Sequence, residues 1–187
     1  MIWEKLRSGW KRAVELRPSF VQVLLYSHNL ENIPVCETPK SCSVVTLQPS
    51  QVDQLGPIWA ESLDVARHRM QRGDRCYIVT LDGRPAHYSW VQTCGVHPLS
   101  DAGRKVAIAT NELWIYHCFT AAEARGLRLY PLTLTRILRD YKLEGFRRAW
   151  IYTTQTNHAS QRGIDRAGFT WERNLRAFRC AGLTVPL

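Results

Sequence analysis

Near the middle of this chain stand residues able to cradle an anion and to move a proton. Arg125 and Gly126 open a turn in front of an apolar, periodic stretch. The first turn of a helix carries backbone N–H groups with no intrahelical acceptor, so such a turn can aim several donors at one negative group. Gly126 has no Cβ and lets a ligand approach the backbone closely. Pro131 suits a first helical turn, where its missing N–H removes no helical bond. Between them lie Leu127, Arg128, Leu129 and Tyr130, with Arg128 placing a second cation beside the donors. Read alone, an Arg-Gly pair also serves as a plain surface turn. Upstream, His117 has an intrinsic pKa suited to taking up a proton near neutrality, and it can equally be a packed, hydrogen-bonded residue. Glu112 and Glu123 are the carboxylate alternatives, one also readable as an exposed strand start and the other as a cap on the approach to the turn. Cys118 reads mainly as a packed thiol, with a nucleophilic role as the alternative. Cys94 and His97 come nearest to a metal half-site, but no second pair mirrors them, and no metal is expected.

These groups need a rigid frame. Leu134, Ile137, Leu138 and Tyr141 recur at i, i+3, i+4 and i+7, which predicts a helix with one buried face that stops near Gly145. Residues 112–119 and 150–154 read as strands on either side, and Asn157 caps a further helix that ends at Gly168. A strand, helix, strand crossover makes the two strands parallel and brings the helix N-terminus to their carboxyl edge, where ligands bind.

Around this core, residues 2–16 read as a basic amphipathic helix, with Trp3, Leu6, Trp10 and Val14 at helical spacing. It is open to two readings, a packing element or a membrane-surface anchor. Residues 20–26 read as an extra strand, followed by a proline-containing linker over 32–40 and a strand over 44–47. Residues 49–71 read as two helical pieces broken near Gly56 and Pro57. Asp82 and Gly83 between apolar runs predict a hairpin joining 75–80 to 85–93. Residues 95–110 read as a loose connection, and 171–180 as a closing hairpin that turns at Glu172 to Asn174.

The segment from Phe119 to Phe169 resembles the core of the GNAT superfamily of N-acyltransferases. Ala122, Glu123, Ala124, Arg125 and Gly126 fit the approach to that family's cofactor loop, and Leu129, Tyr130 and Pro131 resemble its exit. Asn157, Ser160, Gly168 and Phe169 match its closing motif. The looser likeness in element order covers residues 43–183. It implies an α/β (or α+β) fold: a mixed, centrally split β-sheet flanked by helices, here with an N-terminal helix and an extra strand. It implies a single domain over 1–187, with 1–40 as an N-terminal extension.

The resemblance further implies an acyl-coenzyme A-dependent N-acyltransferase that passes an acetyl group from acetyl-CoA directly to a primary amine. The strand end Cys118, Phe119 and Thr120 would receive the pantetheine arm and stabilise the oxyanion through a backbone N–H. Arg125, Gly126, Leu127, Arg128, Leu129 and Tyr130, with Asn157 and Ser160, would bind the rest of the cofactor. His117 and then Glu112 are the expected bases. Arg128 stands where the loop usually carries glycine, and its side chain either adds charge or obstructs. Ile164 stands where many members place a tyrosine that protonates the departing thiolate, so water or another hydroxyl, Tyr152 among them, would take that role. The acceptor pocket is expected between residues 53–69, the 95–110 segment and the final hairpin. Longer acyl chains or an acyl carrier protein, with an amino acid or amino sugar as acceptor, form one alternative. A catalytically weak acyl-CoA-binding module associated with a membrane or polyanion forms another.

Composition is compatible with this and narrows the partners. A chain of 187 residues with 45% hydrophobic residues and 7 tryptophans can bury a core without metals or disulfides. The six cysteines lack paired spacing, and no apolar stretch approaches a membrane span, so a cytoplasmic location is expected. The net charge of +9, from 25 basic and 16 acidic residues, is spread along the chain without a nucleic-acid-binding signature. The expected partner is an amine-bearing small molecule or amino sugar, with no nucleic acid, peripheral membrane contact through the basic helix, and a monomeric or homodimeric chain.

Overall fold

Apolar residues two apart recur along most of the chain, and strands dominate accordingly. The structure, a computed structural model, describes residues 18–181 and 183–187, so the expected helix over 2–16 lies outside the described residues. In chain order the elements are β1 (Ser19–His28), β2 (Cys42–Thr46), a 3-10 helix (Pro49–Ile58), α1 (Leu63–Gln71), β3 (Arg75–Leu81), β4 (Arg84–Gln92), β5 (Val96–Leu99), β6 (Arg104–Ala107), β7 (Glu112–Thr120), α2 (Leu129–Leu143), β8 (Arg148–Thr154), α3 (His158–Arg166), β9 (Thr170–Cys180) and β10 (Leu183–Pro186). Eight strands form one mixed, mostly antiparallel sheet in the order β10-β9-β1-β8-β7-β4-β3-β2, and β5 and β6 form a separate two-stranded sheet. No helix among the described residues is long and apolar enough to cross a membrane.

Alternation assigns the two faces of the sheet. Tyr77, Val91, Leu113, Ile115, Ala149 and Ile151 point to one face, where α2 covers them with Leu134, Ile137, Leu138 and Tyr141 and α3 with Ile164. Burying each of these aliphatic side chains contributes about 1.5–3 kcal/mol, so α2 is held by its apolar stripe and not by propensity alone. On the opposite face, Cys76, Ile78, Tyr88 and Trp90 pack under Val52, Leu55, Trp59 and Ala66 of the 3-10 segment and α1. Further along that face, Leu99 and Ala102 cover Val23, Leu25 and Trp114.

Two turns follow their sequence signals. Asp82 and Gly83 take φ of 50° and 77°, the pair of positive values that a two-residue hairpin needs. Asn157 accepts a hydrogen bond from the Ser160 N–H at 3.1 Å and starts α3.

Elsewhere the fold departs from expectation. Residues 95–110 are not a loose connection: β5 and β6 pair from Val96↔Ala107 to Leu99↔Arg104, with Gly103 in the left-handed region at the turn. The break in the 49–71 helical region falls at residues 59–62, after Pro57. Ser62 recaps the chain by accepting the Asp64 N–H, and the Trp59 indole donates to the Ser62 carbonyl. Residues 171–180 are not a hairpin by themselves. They belong to one strand, β9, which pairs with β1 across a register shift at Glu172, and the closing hairpin is β9 with β10.

The strand at 19–28 is also more than an extra one. β1 lies between β8 and β9 and pairs antiparallel with both, from Val23↔Thr154 to His28↔Ala149 on one side and from Ser19↔Arg179 to Ser27↔Thr170 on the other. The β9–β10 hairpin joins the sheet only through it.

Candidate active site

The sheet opens where its two parallel central strands stop pairing. β7 and β8 match only at Glu112↔Arg148, Leu113↔Ala149 and Trp114↔Trp150. Beyond that point the strands part. On its other side β7 pairs with β4, and the register changes between Trp90↔Tyr116 and Tyr88↔Phe119. His117 and Cys118 therefore both stand opposite Ser89, a bulge with His117 at φ 44°. A bulge bends its strand and leaves one residue outside the ladder, which turns β7 away from β8. It also sends the neighbours Tyr116 and His117 to the same face, where both meet aromatic rings.

The gap is a cleft of about 990 Å³ that runs through the sheet. From the α1 side it is lined by residues such as Arg69, Arg72, His97, Asp101, Tyr116 and His117, and from the α2 and α3 side by Cys118, Tyr130, Asn157 and Ser160. The last four also line a second groove of about 600 Å³ beside the N-terminus of α2. The two spaces thus share walls and form one passage. The 53–69 and 95–110 regions do border the cleft, whereas no described residue of the final hairpin lines it; Arg179 pairs at 2.8 Å with Asp101, which does.

The groove gathers most of the residues singled out for anion binding. Phe119, Thr120, Arg125, Gly126, Arg128 and Leu129 line it together with the four shared residues; Leu127 does not. The N–H groups of residues 126–130 have no backbone acceptor among the described residues, and no side chain caps α2. Gly126 at φ 85° and Arg128 at φ 59° give the loop two left-handed residues. Arg128 therefore takes a conformation that favours glycine, and it is exposed. Sequence reading missed Arg162 and Arg166. They sit at i and i+4 on α3 and line the same groove, a signal that was available once Asn157 had fixed the helix start. None of these four arginines has an acidic partner among the described residues.

Tyr130 occupies the junction. Its ring lies against Gly163 of α3, where a Cβ would come within 2.4 Å of the ring. Its hydroxyl lies 3.4 Å from Ser160 Oγ, and burial holds its pKa well above the ordinary phenol value, so it stays protonated. Burial also pushes the Cys118 thiol up to about 12, leaving it un-ionised at neutral pH. Tyr152 lines the cleft with a phenol pushed up by burial. Ile164, in contrast, is fully buried in the core under α3.

On the α1 side His117 belongs to a cluster. Arg69 Nη1 donates to His117 Nδ1 at 2.6 Å, and His117 Nε2 is 3.2 Å from the Tyr88 hydroxyl. Because a guanidinium only donates, Nδ1 must be unprotonated, and the ring proton sits on Nε2 facing Tyr88. Glu61 Oε1 is 3.6 Å from Nδ1 and 3.7 Å from Arg69 Nη2. Burial first, then Arg69, holds the His117 pKa below its usual value, with Glu61 opposing. Glu61 and Arg69 fall in the 53–69 region expected to line the acceptor pocket, but nothing in the sequence ties them or Tyr88 to His117, since only the tertiary fold brings them there. The other residues read as bases lie elsewhere. Glu112 is at the paired end of β7, accepting the Trp150 indole N–H at 2.8 Å, and does not border the cleft. Glu123 is exposed on the turn before the loop. Cys94 is exposed while His97 is buried against Gln92 at 2.9 Å, so the half-site does not converge.

No family model matches the chain, and no curated protein sequence matches it. Solved structures do share its architecture. An acetyltransferase of the GNAT family from Colwellia psychrerythraea is 17% identical with a TM-score of 0.61, over 87% of this chain and 57% of that one. A GCN5-related N-acetyltransferase from Kribbella flavida is 16% identical with a TM-score of 0.60, over 89% and 60%. A Drosophila protein is 10% identical with a TM-score of 0.62, over 97% and 58%. The chain thus spans little more than half the length of these proteins. Its fold is GNAT-like.

Proposed function

We propose that this chain is an acyl-coenzyme A-dependent N-acyltransferase that moves an acetyl group from acetyl-CoA to a primary amine. The observation that carries the reading is the groove at the start of α2. The loop of five consecutive N–H groups without backbone acceptors, four of whose residues line the groove, stands beside four arginines without acidic partners among the described residues. A pyrophosphate bearing further phosphate matches that donor set in charge and hydrogen bonding. From there a pantetheine arm follows the shared wall of Cys118, Tyr130, Asn157 and Ser160 to the gap between β7 and β8.

The amine enters from the α1 side, so donor and acceptor meet at the bulge. Its nitrogen lone pair attacks the acyl carbonyl carbon, the C–N bond forms, and the C–S bond breaks. The thiolate takes a proton from water, and the Tyr130 hydroxyl, kept protonated by burial, donates a hydrogen bond to the departing sulfur. Water thus takes the role left open by Ile164. The amine proton goes to His117, which is neutral at pH 7. Deprotonating an alkyl ammonium there costs about 4–5 kcal/mol, which makes a nearby base useful. Glu112 takes no part in this step.

A second reading, a GNAT-like module that binds acyl-CoA without turnover, is favoured by one observation: the basic lone pair of His117 is capped by Arg69. Purified protein incubated with acetyl-CoA and a mixed amine panel, with free thiol monitored and coenzyme A binding measured calorimetrically, separates the two. Binding with thiol release supports the enzyme, and binding without it supports the module. Absence of both would sink each. Replacing Arg162 and Arg166 together by alanine is expected to weaken coenzyme A binding by about 10-fold or more at low salt and less at high salt.

A further inference from the structure

We infer that the amine acceptor also carries a carboxylate close to its nitrogen and that Arg69 reads it. This rests on the acyl-transfer reading above. The Arg69 side chain is only 15% exposed, and its guanidinium sits 5.1–5.3 Å from the centroids of the Trp59, Trp90 and Tyr116 rings. Those rings fix its direction. A guanidinium has five N–H donors, yet among the described residues Arg69 makes one side-chain hydrogen bond, to His117 Nδ1. Glu61 forms an ion pair with it at 3.7 Å, too long for a hydrogen bond, so most of those donors stay unspent. A mostly buried guanidinium on a cleft wall with spare donors can take a second, hydrogen-bonded anion.

Beyond the long pair with Glu61, the wall does not provide that anion. Asp64 is engaged by Arg67 at 2.9 Å, Asp101 by Arg179 at 2.8 Å, and buried Asp74 by Arg72 and the Tyr116 hydroxyl. A carboxylate that takes the spare Arg69 donors would therefore come with the ligand and compete with the long Glu61 pair. Arg72, one turn along α1, offers a second arm: its Nε and Nη2 serve Asp74, while Nη1 has no acceptor among the described residues. Planar, two-donor presentation suits a carboxylate in particular.

Position limits how far that carboxylate can be from the amine. Arg69 touches His117 directly, and His117 is the bulged residue beside the reacting gap. A carboxylate on Arg69 thus places its amine within a few bonds of His117, as in a free amino acid. Binding has a second effect. The carboxylate competes with His117 for the Arg69 donors, and releasing Nδ1 uncovers the lone pair that accepts the amine proton. The imidazolium so formed keeps its Nε2 proton on Tyr88 and faces Glu61 at 3.6 Å. Arg69 therefore keeps the base capped until an acceptor with the right anion arrives.

The test compares free amino acids with the matching amino-acid amides, which keep the amine and lose the charge. For the wild-type protein kcat/KM is expected to favour the acids by about 100-fold, and Arg69→Gln to abolish the preference while changing KM for acetyl-CoA by less than about 3-fold. Because Arg69 is packed among aromatic rings, the more exposed Arg72→Gln serves as a second variant, with a partial loss of preference. Equal use of acids and amides by the wild-type protein overturns the inference. If neither set releases thiol, the acyl-transfer reading fails, and NMR of the His117 ring decides the inference on its own. A shift on adding amino acids but not amides sustains it, and the same response to both, or none, overturns it.

Discussion

Changing Gly163 to alanine sets two known effects against each other at the junction of the grooves. A new Cβ would lie 2.4 Å from Tyr130 Cδ1, 2.9 Å from Cε1 and 3.4 Å from Cγ. The whole ring edge is struck, not a flexible tip, and the ring also neighbours His87 at 5.6 Å with its hydroxyl near Ser160. Overpacking of this kind costs about 1–3 kcal/mol. Against it, alanine in the middle of α3 gains about 1 kcal/mol of helix propensity. The net expectation is a loss of about 0–2 kcal/mol, together with weaker coenzyme A binding as Tyr130 leaves the shared wall. With Tyr130→Ala already in place the obstacle is gone, and the same Gly163→Ala change should stabilise by about 1 kcal/mol. Urea denaturation of the four proteins measures the coupling directly. If Gly163→Ala were equally destabilising with and without the Tyr130 ring, the packing account of this junction would be wrong.

Two further outcomes follow from the backbone and from buried histidines. Arg128→Gly relieves a left-handed φ of 59° and should raise stability by about 1 kcal/mol while making coenzyme A binding weaker and less salt-dependent; a lower urea midpoint would refute this. Burial holds the pKa of His87 at about 3 and of His97 at about 4, below the unfolded value near 6.5. From about pH 6.5 downward the unfolded chain binds protons that the fold refuses, so stability should fall by up to about 1.4 kcal/mol per pH unit for each histidine. The slope of urea midpoint against pH between 7.5 and 4.5 should flatten in His97→Gln, and an unchanged slope would count against the burial argument.

Local signals account for most of what the sequence made legible. The Asp82-Gly83 turn, the Asn157 cap, the periodic face of α2 and the Arg-Gly loop each act within a few residues, and each stands where its chemistry predicts. Long-range pairing was not readable in the same way. Nothing in Val23 or Leu25 says that β1 will sit between β8 and β9, since strand propensity does not name a partner. The β5–β6 hairpin was missed because each strand has only four residues, too few for a clear alternation. The cluster at His117 depended on both kinds of information. Its histidine was visible as a titratable residue on a strand, but Glu61, Arg69 and Tyr88 arrive from a loop, a helix and a neighbouring strand.

The bulge at His117 and Cys118 connects these levels. One extra residue in β7 ends its agreement with β8, opens the sheet, and turns consecutive side chains toward different surroundings. Cys118 faces Tyr130 and the anion-binding groove, while Tyr116 and His117 face Arg69 and the α1 side. A group delivered from the α2 N-terminus and a group delivered past α1 can then reach the same gap without sharing an entrance. Their chemistry is kept apart by the sheet until the two meet. On this view the left-handed φ of His117 is strain located where the fold must branch, and a change that regularised β7 would be expected to close the gap before it disturbed either wall.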